Sequence, residues 1–81
     1  MLVNVTFHSY FKDLTGCSEA AEEVPLGSTI GDVLEKLFRR FPQLVAMERS
    51  TLIAVGVEYQ NRRYILKQDD EVSLFPPVQG G

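Results

Sequence analysis

The sequence predicts an α+β fold of two layers: a mixed sheet of four to five strands with one long helix across one face. Three observations carry this. A single stretch, from Ser28 to Phe41, has the apolar spacing of a helix. Short apolar segments of strand length stand before it and after it. The chain has 81 residues, enough for one core and one domain.

The elements follow in order. Over residues 2–8, Val3, Val5 and Phe7 alternate with Asn4, Thr6 and His8, the pattern of a half-buried strand. Tyr10 to Gly16 reads as a turn segment, and the acidic run 18–24, ending at Val24-Pro25, as a second strand. The helix comes next. Ser28 or Thr29 is placed to cap it, and Asp32 stands three residues after Thr29, close to a capping box. Ile30, Val33, Leu34, Leu37, Phe38 and Phe41 form one apolar stripe, so Phe38 and Phe41 are assigned to the core. Arg39 and Arg40 lie in the last turn, where cations favour the helix dipole, and Pro42 ends the helix.

Gln43 to Ser50 reads as irregular or a short helical turn. Leu52 to Val57 reads as a third strand, with a turn at Gln60-Asn61 and a short strand at Arg63 to Leu66. Gln68-Asp69-Asp70 is a further turn, and Glu71 to Phe75 the last strand. Pro76-Pro77 end it, because proline donates nothing to a sheet ladder. Parallel pairing of the first and last strands at the sheet centre, with the helix crossing over, makes this order a β-grasp, the ubiquitin-like arrangement. The expected organisation is a β-grasp domain over 1–75 and a flexible Gly-Gly tail over 76–81.

Composition narrows the function. Net charge is −3, and the arginines stand in isolated pairs, so no basic stripe for nucleic acid is present. An acidic surface suits a basic protein partner. The lone Cys17 and lone His8 form neither a disulfide nor a cysteine- or histidine-rich metal site. Cys17 is expected to be a loop thiol, and His8 a structural or solvated residue on the outer face of the first strand. A free thiol, with no export signal and no apolar run of membrane-spanning length, points to the cytoplasm and away from a membrane.

Gly80-Gly81 close the sequence, after Phe75-Pro76-Pro77-Val78-Gln79. Glycines there pack no core, but a carboxylate without a neighbouring side chain fits a narrow active site. Six extended residues from Pro76 reach roughly 20 Å. The prolines favour an extended path, so the segment reads as an arm. Phe75 has Val72 and Leu74 on the core side, so its ring is expected outward beside the arm, as an interface anchor or packed at a sheet edge. Both faces of Leu52 to Val57 are apolar or small, which also suits partner contact.

The run from Asp70 to Gly81, above all Phe75-Pro76-Pro77-Val78-Gln79-Gly80-Gly81, resembles the end of molybdopterin synthase small subunits, ubiquitin-like sulfur carriers related to the thiamine sulfur carriers. The likeness extends to Phe7–Gly16, to Gly27-Ser28-Thr29-Ile30-Gly31-Asp32 and to Phe41-Pro42-Gln43-Leu44. The chain departs from that family at Lys12, where arginine is common, at Gly56, where asparagine is usual, and at Asp69, where glycine is usual. The resemblance implies that a partner enzyme adenylates the Gly81 carboxylate with ATP and that a sulfur donor protein converts it to a thiocarboxylate. It further implies delivery of that sulfur to a pterin precursor in molybdenum or tungsten cofactor synthesis, within a heterotetramer with a large catalytic subunit. Phe75, Pro76, Pro77, Val78, Gln79 and Gly80 would contact the partner, the small subunit would supply no catalytic side chain, and it would bind no cofactor or metal. A modifier joined to lysines through Gly81, a carrier for another pathway such as thiamine, and a plain interaction module remain alternatives.

Overall fold

The computed structural model describes residues 1–77. Strand β1 (Leu2–Phe7) is followed by a short helix α1 (Phe11–Thr15), strand β2 (Glu19–Glu23), the long helix α2 (Ile30–Arg40), a 3-10 segment (Pro42–Met47), and strands β3 (Leu52–Val55), β4 (Glu58–Tyr59) and β5 (Glu71–Phe75). The sheet order is β2-β1-β5-β3-β4. β1 and β5 pair in parallel at its centre, with Val5 opposite Val72 and Phe7 opposite Leu74, and the flanking pairs are antiparallel. This is the β-grasp arrangement.

One face of the sheet carries the core. Val3, Val5 and Phe7 from β1, Ile53 and Val55 from β3, and Val72 and Leu74 from β5 meet Ile30, Val33, Leu34 and Leu37 of α2, all buried. Phe38 and Phe41 stand at the margin of this core, half-buried, rather than within it. Phe41 meets the edge of the Phe7 ring at 5.6 Å, and Arg62 lies over Phe38. Only the C-terminal end of the apolar stripe leaves the core; its N-terminal end, from Ile30 to Leu37, is fully buried.

Helix α2 begins at a complete capping box. The Asp32 backbone N–H donates to Thr29 Oγ1 at 3.3 Å, and the Thr29 N–H donates to Asp32 Oδ2 at 2.9 Å. Its last turns cover the open edge of β2: Lys36 Nζ donates to the Glu23 carbonyl at 2.9 Å, and Arg40 donates to the Ala21 carbonyl and to the Glu22 carboxylate. Cations at the helix C-terminal end thus occupy carbonyls that an edge strand would otherwise offer to another chain.

Three local expectations are corrected. The segment from Tyr10 to Gly16 is a helical turn, because Phe11 is drawn completely into the core and Gly16, at φ +76°, closes it in the left-handed conformation. The third strand ends at Val55, since Gly56 (φ +60°) and Val57 form a two-residue hairpin turn into β4. Val57 is therefore fully exposed instead of sharing the face of Ile53 and Val55. Arg63 to Leu66 forms no strand: Ile65 makes one isolated bridge to Thr29, while Leu66 plugs the core. The role of strand falls instead to Glu58–Tyr59.

Candidate functional site

The outer face of the sheet, opposite α2, carries the outward side chains of β5, which Pro76 and Pro77 follow. β5 lies between β1 and β3, so Phe75 leaves the middle of the sheet and not its border. Alternation sends Val72 and Leu74 into the core and Ser73 and Phe75 outward. The register sets Phe75 opposite Leu52 of β3 and Ser73 opposite Ala54, whose other partner is Tyr59 of β4. On the far side, the His8 N–H continues the parallel ladder by donating to the Leu74 carbonyl at 3.1 Å.

Three rings converge there. The His8 and Phe75 rings stack with centroids 4.2 Å apart and planes 12° apart. Tyr59 meets Phe75 nearly at right angles, at 6.5 Å. Tyr59 is 72% exposed, while His8, Leu52 and Phe75 are half-buried. Pro76 and Pro77, also half-buried, follow directly. Aromatic and aliphatic groups thus form a continuous apolar surface at the root of the arm, the composition of an interface centre.

Of the residues expected to form the site, Phe75, Pro76 and Pro77 lie together here. Val78, Gln79, Gly80 and Gly81 lie outside the described residues. Tyr59 also belongs to the surface, and its one signal in the sequence is a glycine followed by one residue between apolar segments, the mark of a hairpin. Cys17 lies half-buried on the loop after α1, packed against the core.

Acidic groups flank the surface. Glu58, Asp69 and Glu71 are exposed. Asp70 accepts from the Tyr64 hydroxyl at 3.1 Å and from the Lys67 backbone N–H at 2.8 Å. Partial burial, then the hydrogen bond to Asp70 and the charges of Asp70 and Glu58, push the Tyr64 phenol above its ordinary value of 10.0. A hollow of about 480 Å³ lies elsewhere, between α2 and the Arg62 loop, and its Glu35–Arg39 and Glu48–Arg62 pairs neutralise one another. Among the described residues, no group of three or more His, Cys, Asp or Glu side chains is placed to hold a metal ion, and no helix is long and apolar enough to cross a membrane.

A β-grasp body whose last strand runs from an apolar sheet face into Pro76 and Pro77 defines a ubiquitin-like architecture. The chain belongs to the ThiS family, whose model matches residues 5–81. It is 32% identical to a molybdopterin synthase sulfur carrier subunit of Aedes aegypti, over 98% of this chain and 88% of the relative. A chain from Pyrococcus furiosus described as molybdopterin converting factor, subunit 1, superposes with a TM-score of 0.85 at 28% identity, covering 96% of this chain and 99% of that one. SAMP1 from Haloferax volcanii shares the fold over the full length of both chains, with a TM-score of 0.86 at 22% identity.

Proposed function

We propose that this chain is the sulfur carrier subunit of a molybdopterin synthase. The observation that carries the reading is the aromatic surface at the root of the arm, in a chain whose family match runs through residue 81. The names borne by the Aedes and Pyrococcus relatives support the same assignment.

The chemistry is set by the poor reactivity of a carboxylate. Its charge repels nucleophiles, and an oxide is a bad leaving group. In the first step, a Gly81 carboxylate oxygen attacks the α-phosphorus of ATP on an activating enzyme, and pyrophosphate leaves. Sulfide-level sulfur from a donor protein then adds to the acyl carbon, and AMP departs with the bonding electron pair. The product is a thiocarboxylate, ionised and nucleophilic without a local base.

The outer sheet face docks on the large subunit while the arm delivers the sulfur to a pterin precursor there. Hydrolysis of the acyl group by water returns the Gly81 carboxylate, and two such deliveries make a dithiolene for molybdenum or tungsten. The catalytic side chains belong to the large subunit. The unpaired Cys17 thiol fits a reducing, cytoplasmic setting.

The test is intact mass after incubation with ATP, the activating enzyme and a sulfur source. Exchange of one oxygen for sulfur at Gly81, abolished by deleting Gly80 and Gly81, is the expected result. No exchange with an enzyme proven active on another carrier would remove the reading. Isopeptide adducts of Gly81 on lysines, in place of sulfur exchange, would establish a protein modifier.

A further inference from the structure

We propose that His8 is a positioning residue for the arm, acting through its ring stack on Phe75. The proposal rests on the carrier reading and adds to it the device that orients the arm's root. His8 stands one residue beyond β1, where its backbone is held on both sides. Its N–H donates to Leu74 O at 3.1 Å, and its carbonyl accepts from Phe11 N at 3.2 Å. Ser9, at φ +56°, then turns the chain away into α1. The imidazole is thereby fixed beside Phe75, face to face at 4.2 Å.

The ring meets Phe75 with its face. Nε2 is buried and finds no hydrogen-bond partner among the described residues. With Tyr59 on the other side, Phe75 is bracketed in one orientation. Pro76 and Pro77 continue directly from it, so the bracket sets the direction in which the arm leaves the sheet. Holding that direction before docking removes an ordering cost from the encounter with the partner.

The test measures affinity for the large subunit of a molybdopterin synthase by calorimetry, with His8→Ala, His8→Phe, Phe75→Ala and the double alanine variant. His8→Ala should weaken binding about fivefold, His8→Phe should restore it to within about twofold, and the double variant should bind no worse than Phe75→Ala alone. In the free protein, the His8 ring protons should carry a ring-current shift that Phe75→Ala abolishes. Unchanged binding by His8→Ala, no rescue by His8→Phe, or weakening that tracks a lowered melting temperature would overturn the proposal. Sulfur exchange at Gly81, scored by mass on the same preparations, judges the carrier reading separately.

Discussion

Gly56 and Tyr64 carry local physics that experiment can isolate. Gly56 has φ +60°, and a Cβ built there meets nothing within 4 Å. Gly56→Ala therefore changes only backbone strain, and a loss of about 1 kcal/mol in urea unfolding is expected. Asp69, at φ +71°, occupies the left-handed position where the resembled family carries glycine; the short polar side chain is among the few that tolerate it. Tyr64 is the second case. Its phenol binds its proton more tightly in the folded state than in the unfolded chain, so this contribution is complete below pH 10 and is lost as pH rises through the elevated folded value. Phenolate absorbance should show Tyr64 ionising above its ordinary range, and Asp70→Asn should bring it down by removing the negative charge while leaving an amide oxygen as a weaker acceptor. A titration unaltered by Asp70→Asn would refute that cause.

At the level of elements, the capping box is the clearest test of sequence reading. Thr29→Ala removes the acceptor for the Asp32 N–H, and a loss of about 1 kcal/mol is expected, measured as a lowered thermal midpoint. Helix α2 was legible because caps, dipole charges and apolar period agree over its 11 residues. The 58–66 region was not. Tyr64, Ile65 and Leu66 look like a strand, but Leu66 is claimed by the core, and the Leu66 N–H is satisfied by the Ser28 carbonyl at 2.9 Å. Glu58 and Tyr59 lack a strand's apolar alternation and pair only because the Gly56 turn folds them onto β3. Likewise α1 has five residues, too few for a period to emerge, and exists because Phe11 finds the core.

In the proposed function the whole molecule serves as a handle for the residues that follow β5. Placing β5 between β1 and β3 anchors the root on both sides, which a border strand would not do. The helix takes one face, leaving the other without a helix among the described residues, while Lys36 and Arg40 close the β2 edge against unwanted pairing. Tyr59 tests this division, being 72% exposed and outside the core. Tyr59→Ala should leave stability within about 0.5 kcal/mol yet weaken large-subunit binding by roughly fivefold or more in calorimetry. Equal affinity would place the interface elsewhere.

By itself the sequence determined the β-grasp order, the capped helix and the alternating core strands, since these are written in spacing and local chemistry. Only the tertiary structure decided what surrounds the arm's root. His8, Tyr59 and Phe75 are 51 and 16 residues apart along the chain, and strand register alone brings their rings together. A side chain's period states which face it takes, but its neighbours across the sheet depend on pairing between distant strands, and that is settled when the common core closes.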